Sequence, residues 1–200
     1  MFTGVITHTA TVKATKKTDE GLLITFARPA GWRDLALGES VATDGVCLTV
    51  AAIRDDEYDC LAMPETLARS TFGQQMPTIV NLERALQAQD RFSGHFVQGH
   101  VDGLGVVTAI SKVDGHLATV RFEATARPLV VYKGSIAVNG VSLTVASVDD
   151  NRLAIALIPY TLQHTTLGSL RVGSQVNLEF DPIAKYVVNA VKLGQTNATS

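Results

Sequence analysis

The stretch GESVATDGVCLTV (38–50) recurs as KGSIAVNGVSLTV (133–145), 95 residues further on. In each copy a two-residue step, Asp44-Gly45 or Asn139-Gly140, separates two runs of alternating residues. Asp-Gly and Asn-Gly both accept positive φ, so each step predicts a tight β-hairpin. Beyond the turn, Val46, Leu48 and Val50 share one strand face, and Cys47 and Thr49 the other. Val141, Leu143 and Val145 lie opposite Ser142 and Thr144 in the same way. Each copy therefore aims a short polar pair away from an apolar row.

The repeat extends outward. PETLARSTFG (64–73) aligns with PYTLQHTTLG (159–168), and MFTGVITHTATV (1–12) with FVQGHVDGLGVV (96–107), at the same offset of 95. VNLE (80–83) aligns with VNLE (176–179) at 96, a one-residue insertion. Four matches in order at essentially one offset mean a duplicated module, and a period this long means two domains rather than a solenoid. Frequent Val, Ile and Thr in short alternating runs make the module β. Several such strands in under 100 residues fit a small barrel or a sandwich.

The Pro-led PETL and PYTL segments read as short helices closing at Gly73 and Gly168. QAQDRFSG (87–94) reads as the linker. DPIAKYVVNAVKLG (181–194) predicts a terminal helix, with Asp181 as N-cap, Pro182 at the first helical position and Gly194 as terminator. Ile183, Val187 and Val191 form its apolar stripe, with Ala184, Val188 and Ala190 beside them. That face must dock on the chain's own barrels or on the same helix of other subunits. QTNATS (195–200) reads as a disordered tail.

Among 200 residues, 46% are hydrophobic and 18% charged, which provides for buried cores and argues against disorder. With 17 Lys+Arg against 19 Asp+Glu and 6% aromatics, nothing suggests a nucleic-acid surface. MFTGVITHTATVKATKK (1–17) lacks the basic segment and apolar core of a signal peptide. No apolar run reaches the roughly 18–20 residues of a membrane span. Cys47 and Cys60 do not make a disulfide framework. The expectation is a soluble cytoplasmic protein with reduced thiols.

The two copies differ where chemistry would sit. Phe2 becomes Val97, Val5 becomes His100, Gly38 becomes Lys133, Cys47 becomes Ser142 and Ala85 becomes Asp181. His95 and His100 stand five apart, on opposite faces if the segment is a strand, which does not suit one metal ion. A lone histidine in a β protein is usually a satisfied structural residue. No G-x-x-x-x-G-K-[ST] or G-x-S-x-G motif is present.

At these residues the chain resembles the α-type riboflavin synthase family. The resemblance runs from Met1 to Leu193 through MFTG (1–4), DGVCLTV (44–50), MPETL (63–67), NLERAL (81–86), GHFVQGHVDG (94–103), KGSIAVNGVSLTV (133–145), LIPYTL (157–162) and TTLG (165–168). It implies an all-β fold of two tandem Greek-key six-stranded β-barrels, spanning 1–94 and 95–181, followed by a trimerisation helix over 182–194. It implies a transferase that converts two molecules of 6,7-dimethyl-8-ribityllumazine into riboflavin and 5-amino-6-ribitylamino-uracil by four-carbon transfer. No metal or organic cofactor takes part. One lumazine would bind per barrel, at sites between subunits of a homotrimer, and the family also admits association with lumazine synthase. A non-catalytic lumazine- or flavin-binding protein of the same fold is the rival reading.

Carried over position by position, the resemblance lines an N-barrel pocket with Gly4, Val5, Ile6, Cys47, Leu48 and Thr49, with Ser40 nearby, and with Leu61, Ala62, Met63, Pro64, Glu65 and Thr66. It lines a C-barrel pocket with Gly99, His100, Val101, Lys133, Ser142, Leu143 and Thr144. Ala156, Leu157, Ile158, Pro159, Tyr160, Thr161 and Asp181 complete it. His100 is implied as the proton-transfer group. Cys47, Ser142 and Thr144 would add to or orient the acceptor, Lys133 would stabilise the anion, and Phe2 would close over the rings. Asp181 would orient the C-barrel ligand or cap its helix. Where the family's second repeat commonly carries Asp, position 139 is Asn, which keeps the turn but loses a carboxylate.

Overall fold

A computed structural model describes residues 1–112 and 116–197. Each module closes a six-stranded antiparallel barrel. In the first, β1 (His8–Lys17), β2 (Leu22–Ala27), β3 (Ser40–Thr43), β4 (Val46–Ile53), β5 (Glu57–Ala62) and β6 (Ile79–Arg84) close in the order β1-β2-β5-β4-β3-β6. The second uses β7 (Gly103–Ser111), β8 (His116–Arg121), β9 (Ser135–Val138), β10 (Val141–Asp149), β11 (Arg152–Leu157) and β12 (Gln175–Phe180). It closes in the corresponding order, so barrel rather than sandwich is the outcome. Bulges at Val12/Ala14 and Val50/Ala52 recur at Val107/Ala109 and Val145/Ser147. Extra residues at such points bend strands enough to close a small barrel.

The decisive hairpins form as read. Asp44 and Gly45 have φ of 44° and 79°, and Asn139 and Gly140 have 46° and 77°. Val46, Leu48 and Val50 enter one core with Ile24, Phe26 and Tyr58. Val141, Leu143 and Val145 enter the other with Val120, Ile136 and Ile155. Burying each large apolar side chain contributes about 1.5–3 kcal/mol.

The Pro-led helices form but do not close on glycine. α1 (Pro64–Arg69) breaks at extended Ser70 and is followed by α2 (Thr71–Gln74), which contains Gly73. α3 (Pro159–His164) breaks at Thr165 before a 3-10 turn, Thr166–Ser169, which contains Gly168. These glycines serve close packing: a Cβ would stand 2.1 Å from the Leu67 carbonyl oxygen at Gly73, and 2.0 Å from that of Leu162 at Gly168.

The terminal helix α4 (Pro182–Asn197) runs through Gly194. A helical glycine costs only about 1 kcal/mol relative to alanine. Positions 195–197 of the expected tail are thus helical, and 198–200 lie outside the described residues. Among the described residues no helix is long and apolar enough to cross a membrane.

Candidate functional site

The segments preceding the barrels, 2–6 and 97–101, cross over. Phe2 and Val97 exchange two backbone hydrogen bonds, of 2.8 and 3.1 Å. Beyond them each segment runs to the other module's barrel. Cys47 N–H donates to Gly99 O at 2.9 Å, and Ser142 N–H donates to Gly4 O at 2.8 Å. Only glycine permits this approach: both glycines have φ near +80°, and a Cβ on Gly99 would lie 2.5 Å from Cys47 Cβ. Val101 then packs on the N-barrel core and Ile6 on the C-barrel core.

A glutamate from each VNLE strand fixes the crossing. Glu83 accepts from Thr3 N–H, Thr3 Oγ1 and Gly4 N–H at 2.7, 2.7 and 2.9 Å. Glu179 accepts from Gln98 and Gly99 N–H at 2.7 and 2.9 Å. Burial pushes both carboxyls above the usual range, against the opposing pull of these donors.

The crossing corrects the expected division of pocket residues. Gly99, His100 and Val101 belong with Cys47, and Gly4, Val5 and Ile6 with Ser142, because the lead segments change barrels. Cys47, Glu65 and Thr66 share a cavity of about 350 Å³ with His100, Val101 and Asp102, and Arg69 closes its wall beside Glu65. It thus unites the thiol of one copy with the histidine of the other. Thr49 is exposed on the same strand face as Cys47, and Ser40 pairs with it across β3–β4.

The C-barrel face is less enclosed. Ser142 is half-buried, and its Oγ lies 2.7 Å from His95 Nδ1. Thr144 is exposed opposite Ser135. Tyr160 stacks on His164 with centroids 4.1 Å apart, and both line a cleft of about 870 Å³ between the barrels, shared with Ile6. Lys133 holds φ +61° where the first copy has Gly38 at +82°, and its Nζ lies 5.6 Å from the Tyr132 ring centroid. A side chain in this left-handed region costs about 1–2 kcal/mol.

Several expected lining residues point elsewhere. Leu48, Ala62, Leu143 and Leu157 are buried in the barrel cores, since strand alternation turns them inward, so only their backbones can face a ligand. Leu61 and Thr161 are half-buried, while Met63, Pro64, Ala156, Ile158 and Pro159 are exposed around the two helix starts.

Phe2 does not face either pocket. It is 0% exposed in a small cluster with Ala42, Val97 and Ala137, held there by its bonds to Val97. Asp181 caps α4, its Oδ1 accepting from Ile183 N–H at 2.9 Å. Asn139 Oδ1 accepts from Asn177 N–H at 2.7 Å in the seam between barrels, so its substitution for Asp falls on a structural turn rather than beside Cys47 or Ser142.

Residues 3–85 and 98–181 each match the lumazine binding domain family. The chain is 40% identical over 189 residues to the riboflavin synthase of Bacillus amyloliquefaciens, covering 94% of this chain and 88% of that one. It is 36% identical over 201 residues to the riboflavin synthase of Bacillus subtilis, covering 100% and 94%. The chain belongs to the riboflavin synthase family. The solved structure of LumP complexed with 6,7-dimethyl-8-(1'-D-ribityl) lumazine superposes with a TM-score of 0.80 at 22% identity, over 90% of this chain and 99% of that one. At that identity the likeness is one of fold.

For a riboflavin synthase family member, four polar groups went unremarked in the sequence reading. Arg69 and Asp102 line the Cys47 cavity, and the signal for Arg69 was its spacing four residues after Glu65 on a helix. Glu83 and Glu179 were visible as the repeated end of VNLE. His95, weighed only for its spacing from His100, meets Ser142.

Proposed function

We propose that this protein is a riboflavin synthase. It binds two molecules of 6,7-dimethyl-8-ribityllumazine and transfers a four-carbon unit between them, giving riboflavin and 5-amino-6-ribitylamino-uracil, the final step of riboflavin biosynthesis. The observation that carries this reading is identity of 36% or more, over nearly the whole chain, to riboflavin synthases of two bacteria. The site supports it. A dismutation takes donor and acceptor of one structure, and two related pockets with different polar groups serve that need.

In this reading the Cys47 cavity and the Ser142 face each receive one lumazine. His100 relays the proton at the C7 methyl whose loss starts the transfer, and the electron-poor pteridine spreads the resulting charge. Cys47 and Thr66 hold the ring and ribityl chain in the same cavity. Ser142, Thr144 and Lys133 face the second ligand. Holding both rings in place replaces a bimolecular encounter with a positioned one, worth about 7–11 kcal/mol at best.

Each polar set is built on a different barrel, so the two rings meet when one subunit's N-barrel faces another's C-barrel. We therefore extend the proposal to a homotrimer held by α4, working in the cytoplasm and able to associate with lumazine synthase. The test is direct. Purified protein is incubated with 6,7-dimethyl-8-ribityllumazine and riboflavin is followed by its absorbance and fluorescence. Riboflavin above the uncatalysed rate is expected. Binding without turnover would make the protein a lumazine carrier instead.

A further inference from the structure

We infer that His95 is a positioning residue: it turns Ser142 into a fixed hydrogen-bond donor toward a carbonyl or ring nitrogen of the C-barrel ligand. This rests on the proposed function and deepens it. His95 is 7% exposed and lies in the lead segment of the second module. Its Nδ1 is 2.7 Å from Ser142 Oγ, while its Nε2 is buried with no hydrogen-bond partner among the described residues.

The unpartnered Nε2 decides the tautomer. A buried N–H without an acceptor is rarer and costlier than an acceptor lone pair without a donor. We accordingly place the proton on Nδ1 and leave Nε2 bare. Burial pushes the ring's pKa down, with Asp181 the opposing influence, so the ring is neutral. Nδ1–H then donates to Ser142 Oγ and occupies one of its lone pairs.

The serine's own proton must point elsewhere, and the surroundings leave it one way out. Gly4 lies against the residue, where a Cβ would be 2.6 Å from Ser142 Cβ. Gly94 lies on another side, where a Cβ would be 3.2 Å from Ser142 Oγ. The remaining side is the exposed strand face that also carries Thr144. A histidine that already holds its Nδ1 proton cannot take one from Ser142. Ser142 is thus a donor to the ligand, not a nucleophile made by a base.

Among the described residues the N-barrel shows no such pair at Cys47. There Cys47 Sγ stands where the C-barrel has the Ser142 hydroxyl.

The experiment compares His95→Ala, His95→Asn, Ser142→Ala and the His95→Ala/Ser142→Ala double variant. Readouts are riboflavin affinity by fluorescence titration, KM and kcat on the lumazine, and the thermal midpoint. His95→Ala and Ser142→Ala should each weaken riboflavin binding and raise KM about five- to tenfold, the range of one hydrogen bond. The double variant should be no worse than either single one. His95→Asn, which keeps an N–H near the Nδ1 position, should recover most of the affinity.

A hundredfold loss in kcat at unchanged KM in His95→Ala, with the acid limb of the pH–rate profile gone, would show a base and overturn the proposal. So would an undiminished effect of His95→Ala in the Ser142→Ala background, which would mean a merely structural histidine. Unchanged affinity in Ser142→Ala overturns it too, even if His95→Ala does not fold. Wild-type protein that binds riboflavin but makes none from the lumazine would defeat the enzyme reading alone, since the binding comparisons would still decide the role of His95.

Discussion

Asp44 is a carboxylate in a place that suits an amide. It is 2% exposed in a turn packed back to back against the Asn139 turn, where a Cβ on Gly45 would stand 2.7 Å from Gly140 N. Its Oδ1 accepts from Asn81 N–H at 2.8 Å, just as Asn139 Oδ1 accepts from Asn177 N–H. Burial raises its pKa to about 7 from 3.8. The sign follows. Between those values the folded chain holds a proton that the unfolded chain has released, so stability falls as pH rises through that window. The deficit is complete above about pH 7 and absent below about pH 4, with an upper bound of about 4 kcal/mol. Asp44→Asn should therefore raise the thermal midpoint at pH 8, with the gain shrinking toward pH 4. An equal gain at both pH values in a melting series would contradict this. At the same scale, His100→Ala and Cys47→Ala should each lower turnover at least tenfold. Both sit at a half-open cavity rather than in a core, so each should shift stability by less than about 1 kcal/mol. Steady-state rates beside melting curves check the pair, and wild-type rates would remove both residues from the chemistry.

At the scale of elements, the lead segments are the feature that pattern reading missed. Strands and hairpins were legible because alternation and the Asp-Gly and Asn-Gly steps are local signals. Where 2–6 and 97–101 go is not local. It depends on two buried glutamates meeting backbone N–H groups some 80 residues away along the chain. The same cause put His100 in the wrong pocket and left His95 without a role. Core-facing Leu48 and Leu143 were readable from alternation, yet the family resemblance counted them as lining because it transfers positions, not side-chain directions. Phe2 failed for a related reason: its neighbour Val97 belongs to the other copy. Glu179 gives the element-scale prediction. Glu179→Ala leaves the Gln98 and Gly99 N–H groups without their acceptor, at roughly 1–3 kcal/mol each if they stay buried. The 97–101 segment should then loosen from Cys47 and carry His100 with it. Expected are a lower melting midpoint and faster amide exchange confined to that segment and β4. Glu179→Gln, which keeps one acceptor oxygen, should fall between the two. A turnover loss in Glu179→Ala without any change in exchange at 97–101 would break the link between the anchor and the site.

At the scale of the whole molecule, α4 is only half employed. Lys185 Nζ pairs with Asp102 at 2.7 Å, and Ala184 and Val188 are half-buried on the same side, so that side docks on the C-barrel. The stripe of Ile183, Val187 and Val191 is 60, 55 and 54% exposed, with Tyr186 at 74% beside it. Four large apolar groups in a row on one helix are more than a lone soluble chain ordinarily leaves to water, and such a patch marks an association surface. If that surface joins copies of this chain, each N-barrel cavity can be brought opposite another copy's C-barrel face. Deleting 183–200 should then release monomers in light scattering and reduce riboflavin formation at least a hundredfold, because each lumazine would lose its reaction partner. Val187→Asp should do the same with the helix intact, since a carboxylate in an apolar seam has no counter-charge. Riboflavin binding per barrel should survive in Val187→Asp, which leaves the Lys185–Asp102 pair beside the Cys47 cavity in place. A trimer that persists in both variants would place the assembly surface elsewhere on the barrels. Monomers that retain full turnover would show instead that the two lumazine sites of a single chain can meet.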